Sequence, residues 1–414
     1  MPFVALFVLV LIGSAGLAMD GARLMLMHTK LQTAIDAAGL SAVARLNSTD
    51  INGQVGKFAR ANFLSGYVDA TIVSLSSQLS ADEDTLTVTG TATAPTTFLN
   101  VFGLRTMQTT AQTKVTRAMG GLEVAMILDV TGSMTENNKI GSLRTAANVL
   151  LDILFGTDAT VDKLHIGIVP FAQAVNIGTT RGTWLTKSGG SKWKGCVEER
   201  FNGRDTTDDP PSIEAFNPYT GACPAAVTPM TSTKATLVSA IASLKADGYT
   251  HVNVGAVWGW RMLSPRWQGL WGGSMGASMP LKYGASGMSK AAIIMTDGDN
   301  WMPIDGTATA YGEIDCPPTC YSDARLNVTG TSGNMKARAE AAMDVKLTAV
   351  CTKMKNIGIT VYTVALGNPG KTIETLLKSC ASQPAFYFDS PTGADLKTAF
   401  AKIGDSLSSL RVSR

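Results

Sequence analysis

The chain has 414 residues, a hydrophobic share of 45% and a formal net charge of +3. This length allows two or more domains with full cores, and the composition excludes a largely disordered chain. Because the basic residues are spread along the chain without a long run, we expect no nucleic-acid partner.

The N-terminal segment predicts a transmembrane anchor that continues as a helical stem over residues 1–46. Residues 3–19 carry no charge, and this run lies at the lower edge of the roughly 17–25 residues that span a bilayer. Beyond it, apolar residues recur at helical spacing to about Leu46. A cleaved signal peptide, with Gly16-Leu17-Ala18 as the cleavage site, and a buried pair of core helices are the alternatives.

The next region, residues 47–118, predicts a small β-rich domain. Residues 71–75, 84–89 and 112–116 alternate between apolar and polar positions and are rich in β-branched side chains. This pattern is typical of an antiparallel sheet.

From residue 122 to residue 411, apolar strands alternate with amphipathic helices. The strands lie at residues 122–128, 165–171, 291–295 and 357–365. Strands that are apolar on both faces favour an α/β fold with a mostly parallel, doubly wound sheet flanked by helices. Two segments, 172–230 and 299–333, are long enough to be insertions with a function.

Oxygen-bearing side chains follow two of these strands. Asp129, Thr131 and Ser133 come directly after the first strand, and Asp297 follows the strand at 291–295. Ligand sites in such sheets form at the carboxyl ends of strands near the point where the strand order reverses. Oxygen ligands suit Mg²⁺, so the pattern predicts a metal site, and capping of the next helix by Asp129 and Thr131 is the alternative.

Two further residues near this site are weaker candidates. Asp299 is an alternative metal ligand, although capping of the following loop explains it as well. His251 could line the surface beside the site. Because no nucleophile and base are paired in the sequence, we expect a binding protein and not an enzyme, with a metal-dependent envelope hydrolase as the rival.

The six cysteines, which lie in the C-terminal two thirds, lack the spacing of a zinc site and favour disulfides in an oxidising compartment. Chain position suggests the pairs Cys196–Cys223, Cys316–Cys320 and Cys351–Cys380. Six cysteines allow about 15 arrangements, so the pairing stays open at this stage.

The C-terminal region resembles a von Willebrand factor A domain. Asp129-x-Thr131-x-Ser133 is similar to the metal-ion-dependent adhesion site of that family, and Asp297 matches its distant aspartate. The resemblance implies that Thr250 is a further ligand. The sequence departs from the family at position 131, where threonine stands in place of the common serine. It also implies Mg²⁺ as the ion, with Mn²⁺ or Ca²⁺ as alternatives, and a partner protein that offers a carboxylate to the metal.

The whole chain resembles the TadE/TadG-like pilus-assembly proteins of bacteria. The similarity lies in Gly16-Leu17-Ala18-Met19-Asp20 and in residues 31–38, 193–200 and 258–265. It implies an extracytoplasmic protein of the tight-adherence pilus system, anchored as a single-pass protein of the inner membrane, with its C-terminal domain in the periplasm or outside the cell. Other pilus-assembly or envelope proteins would be its partners. A purely structural, minor pilin-like subunit is the remaining alternative.

Overall fold

The computed structural model describes residues 2–43, 50–64, 66–80, 85–116, 120–273, 275–316, 320–322 and 325–412. The end of the predicted stem, residues 44–46, lies outside the described residues. Contacts divide the chain into two compact units, which are Met1–Met119 with Val412–Arg414, and Gly120–Arg411.

The first unit packs two helices on a three-stranded antiparallel sheet. Its elements are α1 (Pro2–Val43), α2 (Ile51–Asn62), β1 (Thr71–Leu79), β2 (Thr85–Pro95) and β3 (Thr106–Thr116), with the strand order β1-β2-β3. The apolar residues that recur at helical spacing after residue 24 form the buried face of α1. Met27, Leu31 and Ile35 are fully buried together with Leu86 and Val88 of β2. The predicted stem and the predicted β-rich region therefore share one core.

The uncharged run of α1 ends at a buried carboxylate. Asp20 is 1% exposed and accepts hydrogen bonds from the backbone N–H groups of Thr97 (3.0 Å), Phe98 (2.9 Å) and Leu99 (2.8 Å). These donors, Leu99 first, lower the pKa of Asp20. Asp20 thereby ties α1 to the turn between β2 and β3.

The predicted localisation as a single-pass inner-membrane protein is wrong, and the predicted membrane anchor is not supported. Among the residues that the structure describes, no helix has both the length and the apolar character needed to cross a membrane. The apolar residues of α1 from Met27 onward, which were expected to form an exposed stem, pack in the core of the first unit. The predicted contact of the N-terminal helix with a membrane is accordingly not supported.

The second unit contains the remaining helices and strands. The helices are α3 (Lys139–Phe155), α4 (Lys234–Ser243), α5 (Val252–Leu263), α6 (Met335–Asn356), α7 (Lys371–Cys380) and α8 (Gly393–Val412). The strands are β4 (Gly121–Asp129), β5 (Leu164–Phe171), β6 (Val175–Asn176), β7 (Cys196–Val197), β8 (Thr228–Thr231), β9 (Met288–Thr296), β10 (Ile314–Asp315), β11 (Tyr321–Ser322), β12 (Thr360–Leu366) and β13 (Tyr387–Ser390).

Eight of these strands form one sheet with the order β13-β12-β9-β4-β5-β6-β7, and β8 pairs with β5. The strands from β13 to β5 run parallel, whereas β6, β7 and β8 pair antiparallel. The predicted mixed α/β fold with a mostly parallel sheet is confirmed.

Each face of the central strand β4 contributes to a separate core. Ala125 and Ile127 belong to the core that contains α5 and α6, whereas Val124, Met126 and Leu128 belong to the core that contains α3 and α8. All nine residues of β4 are buried, because helices cover both faces. Burial on both faces also explains why the sequence of this strand is a continuous apolar run.

Three disulfides join Cys196 to Cys223, Cys316 to Cys320 and Cys351 to Cys380. The suggested pairs are therefore confirmed. The first bond closes the long segment that follows β5, and the third joins α6 to α7.

Candidate metal centre

Two carboxylates meet where adjacent parallel strands end. β4 ends at Asp129, and its neighbour β9 ends at Thr296, so that Asp297 is the next residue. The two strands run parallel with Leu128 paired to Met295, which brings their carboxyl ends to the same edge of the sheet.

Hydrogen bonds hold the side chain of Asp129, which is fully buried. Its Oδ1 accepts from the backbone N–H of Thr131 (2.8 Å) and from the Thr131 hydroxyl (2.6 Å). Its Oδ2 accepts from the hydroxyl of Thr296 (2.6 Å). Both oxygens thus have a fixed direction at the end of β4.

The other predicted site residues belong to the same network. The Ser133 hydroxyl donates to Asp297 Oδ1 (2.6 Å) and lies 3.1 Å from the Thr131 hydroxyl oxygen. The Thr250 hydroxyl donates to the Thr131 hydroxyl oxygen (3.2 Å). The structure therefore brings together Asp129, Thr131, Ser133, Thr250 and Asp297, which come from three distant parts of the chain.

The two carboxylates repel each other. Burial raises the pKa of Asp129 to about 6, with the nearby charge of Asp297 as the second cause, although hydrogen bonds from Thr131 and Thr296 oppose the rise. A cation between or beside these carboxylates would remove the repulsion. The protein supplies one such cation, because Lys139 Nζ lies 2.7 Å from Asp297 Oδ2.

Backbone contacts connect the Thr250 loop to the loop after β4. Gly132 N–H donates to Gly248 O (2.8 Å), and Asp247 N–H donates to Val130 O (2.8 Å). Gly248 has φ +89°, a left-handed conformation that glycine adopts without strain. These contacts explain how Thr250 reaches the first motif.

The same loop is also held by side chains that the sequence did not reveal. Gln173 Oε1 accepts from Tyr249 N–H (2.7 Å), and Asn300 Oδ1 accepts from Val252 N–H (2.8 Å). Thr296, Gln173 and Asn300 carried no sequence pattern that marked them. Only Lys139 offered a signal, since a basic residue in the first turn of a helix opposes the helix dipole.

The weaker candidates have other roles in the structure. Asp299 Oδ1 accepts from Ile373 N–H (2.9 Å) in the first turn of α7, so its observed contact is with this helix, whereas capping of the loop after Asp299 was expected. His251 is fully buried with its ring 5.9 Å from that of Tyr311, so the expectation that it lines the surface is wrong. Trp301 is 49% exposed instead, and its backbone N–H donates to Thr250 O (2.8 Å).

The donor set fits a hard divalent ion. It consists of two carboxylates and three hydroxyls, all oxygen ligands, in a buried position where negative charge is costly. Within the described part of the chain, no three or more His, Cys, Asp or Glu side chains are grouped so as to hold a metal. An ion here would therefore depend on hydroxyls and water as well as on the two carboxylates.

A family comparison supports the predicted identity of the N-terminal segment. Residues 1–45 match the sequence model of the family described as "Putative Flp pilus-assembly TadE/G-like". The recognition of a TadE/TadG-like segment is therefore confirmed. No curated protein has a sequence that matches the chain.

Several solved structures are similar to the chain at low sequence identity. The vWF domain of the type V pili tip protein Mfa5 from Porphyromonas gingivalis is 13% identical over 72% of this chain and 97% of that chain, with a TM-score of 0.42. The pilus adhesin SpaC from Lactobacillus rhamnosus GG is 14% identical over 82% of this chain and 34% of its own, with a TM-score of 0.37. Proximal thread matrix protein 1 from the mussel byssus, with a zinc-occupied MIDAS motif, is 14% identical over 72% and 47%, with a TM-score of 0.35.

Proposed function

We propose that the chain is a pilus-associated binding protein whose doubly wound, von Willebrand factor A-like domain captures a partner through a divalent ion. The ligands would be Asp129, Thr131, Ser133, Thr250 and Asp297. The observation that carries this proposal is their single hydrogen-bond network around two close carboxylates at the carboxyl edge of the sheet.

The two carboxylates would supply negative charge, and the hydroxyls would supply neutral oxygens. Mg²⁺ fits this set best, because it prefers oxygen ligands and keeps several waters, while Mn²⁺ and Ca²⁺ are alternatives. When bound, such an ion offers a positive charge and an exchangeable coordination position to a carboxylate oxygen of a partner protein. Ser133 is partly exposed, which leaves the site open on one side.

Binding is favoured over hydrolysis by the way the hydroxyls are used. Thr131 donates to Asp129 and Ser133 donates to Asp297, and neither hydroxyl is paired with a histidine that would serve as a base. His251, the nearest histidine in sequence to a site residue, is buried against Tyr311. We therefore propose that the protein is not an enzyme.

The pilus context of the proposal rests on the N-terminal segment and on the disulfides. Residues 1–45 match the TadE/G-like family, whose description names pilus assembly. Three disulfides, among them Cys196–Cys223 across the insertion after β5, suit an oxidising compartment. The partners would accordingly be pilus-assembly or other envelope proteins.

Calorimetric titration of the full chain with MgCl₂ and MnCl₂ tests the metal site. The wild type should bind one ion, and Asp129→Ala should bind none while retaining its circular dichroism spectrum. Asp389→Ala is the matched control, because Asp389 also lies at the end of a parallel strand but is exposed. If the wild type binds no divalent ion, or if Asp129→Ala binds it equally well, the proposed function is wrong.

Partner capture needs a second measurement. Envelope proteins retained on immobilised wild-type protein should be released by EDTA and should not be retained by Asp129→Ala. Retention that is insensitive to both changes would show that the metal site does not mediate the interaction.

A further inference from the structure

Lys139 places a protein cation against the candidate metal site. It is the first residue of α3, and its Nζ lies 2.7 Å from Asp297 Oδ2 and 3.8 Å from Glu136 Oε2. The Lys139 side chain is 18% exposed, and that of Asp297 is fully buried. This ion pair is therefore shielded from solvent much more than an ordinary surface pair.

The position of Lys139 is unfavourable for the helix that carries it. The N-terminal end of a helix has a partial positive charge, so a lysine there is repelled and an acidic residue is the usual choice. α3 has no acidic residue in its first turn. The side chain also extends past Gly367, where a Cβ atom would lie 3.6 Å from Lys139 Cε. Helix stability does not explain this lysine, whereas its pairing with Asp297 does.

We propose that Lys139 is a specificity-determining residue of the site: it weakens binding of the divalent ion alone and strengthens capture of a carboxylate by the ion-loaded site. This inference rests on the proposed function, because it assumes that Asp129 and Asp297 hold an ion.

The charges of the site support this role. The buried Asp129 and Asp297 and the Lys139 ammonium together leave one negative charge when both aspartates are ionised; the Glu136 carboxylate is 68% exposed, so solvent screens its charge. Adding a divalent ion changes the net charge of the site to one positive charge. The Lys139 ammonium, which already pairs with the ligand Asp297, repels the ion. A single carboxylate from a partner then makes the site neutral. Without the lysine, the two aspartates alone would neutralise the ion, and the partner's carboxylate would add an uncompensated negative charge.

Lys139→Met tests the proposal, because methionine has a similar length and no charge. At pH 8, the Kd for Mn²⁺ from MnCl₂ alone should fall about tenfold or more relative to the wild type, since a like charge close to the ion is removed. At saturating Mn²⁺, the affinity for sodium acetate, used as the carboxylate probe, should fall severalfold. Lys139→Arg retains the charge and should behave as the wild type in both titrations.

Lys234→Met is the matched control. Like Lys139, Lys234 is the first residue of its helix, α4, and its Nζ pairs with a carboxylate, that of Asp152, at 2.9 Å. Its Nζ also donates to Gly156 O, which precedes β5. Lys234 therefore lies near the amino ends of the parallel strands, whereas Asp129 lies at their carboxyl ends. Lys234→Met should therefore change neither the Mn²⁺ titration nor the acetate titration. If Lys139→Met does not fold, as judged by circular dichroism, Lys139→Gln replaces it in the same measurements.

The outcomes separate this inference from the proposed function. If the wild type binds no Mn²⁺, the metal site itself is wrong. If the wild type binds Mn²⁺ and Lys139→Met binds it no more tightly, or if the variant binds acetate as well as the wild type does, Lys139 is only a structural ion-pair residue and the inference is overturned.

Discussion

Replacing Asp129 by asparagine should stabilise the metal-free protein while it abolishes the response to divalent ions. Asparagine has nearly the same shape, and its carbonyl oxygen can accept the hydrogen bonds that Thr131 donates to Oδ1. Its amide can donate to the Thr296 hydroxyl oxygen, since that hydroxyl already has Gly298 O as another acceptor at 3.1 Å. The substitution therefore removes a buried charge with little change in hydrogen bonding.

The magnitude follows from the pKa of Asp129. Burial and the charge of Asp297 raise this pKa from 3.8 to about 6, and one pKa unit corresponds to about 1.4 kcal/mol. Ionised Asp129 thus costs the metal-free fold about 3 kcal/mol at pH 8. Because an amide reproduces a protonated carboxyl imperfectly, we expect Asp129→Asn to gain about 2 kcal/mol, or roughly 5 °C in melting temperature.

The pH dependence has a definite sign. The folded protein binds the proton of Asp129 more tightly than the unfolded chain does, so the stabilisation is complete below pH of about 4 and is lost as pH rises through about 6. Metal-free wild type should therefore lose stability relative to Asp129→Asn across this window, and the difference should be constant above it.

Urea denaturation in EDTA at a series of pH values, followed by melting scans with and without MgCl₂, measures both effects. An ion at 100 times its Kd should stabilise the wild type by about 2.7 kcal/mol and leave the variant unchanged. A metal-free Asp129→Asn protein that is less stable than the wild type at pH 8 would refute the reasoning. It would show that the carboxylate is held by its hydrogen bonds more strongly than burial and repulsion oppose it.

Three further perturbations test the packing around the site and the N-terminal unit. Glu199→Gln should cost about 3–5 kcal/mol in urea denaturation, because Arg261, paired with it at 3.1 Å, would become an unpaired charge and both side chains are fully buried. Asp20→Asn should destabilise the first unit at pH 7, and the wild type should lose the same stability as pH falls through the lowered pKa of Asp20, as followed by hydrogen exchange. Replacing both Cys196 and Cys223 by serine should cost about 3–4 kcal/mol, because the disulfide closes a loop with a sequence separation of 27.

Each of these perturbations has a control that should have a small effect. Glu374→Gln removes a partly exposed pair with Lys378 and should cost less than about 1 kcal/mol. Asp69→Asn removes an exposed carboxylate, 74% accessible, from the first unit. Serine at Cys316 and Cys320 opens a loop with a sequence separation of only 4, so its cost should be smaller. Equal effects in a variant and its control would contradict the role assigned to burial or loop length.

Local patterns in the sequence were sufficient to predict the sheet and the first part of the site. The apolar run before Asp129 predicts a strand buried on both faces, and β4 is fully buried. The carboxylates Asp129 and Asp297 directly follow apolar strands, so a parallel sheet is expected to place both at the carboxyl ends of its strands. The fold then shows that these strands, β4 and β9, are neighbours. An apolar strand and the aspartate that follows it are close together in the chain, so both can be recognised from the sequence without a structure.

The N-terminal helix shows the limit of this reading. The spacing of apolar residues in α1 predicts a helix, but the same apolar residues could face lipid or a protein core. Only the packing of Met27, Leu31 and Ile35 against β2 assigns them to a protein core. The burial of His251 likewise depends on Tyr311, which lies 60 residues away in the chain.

The electrostatics of the site could be decided only by the tertiary structure. The pKa of Asp129 is raised by burial and by the charge of Asp297, and the pairing of Asp297 with Lys139 spans 158 positions of sequence. Coulomb interactions and burial depend on distances in space, which the sequence does not specify between remote residues. The sequence thus determined which oxygen atoms could form a metal site, and the fold determined which charges surround them.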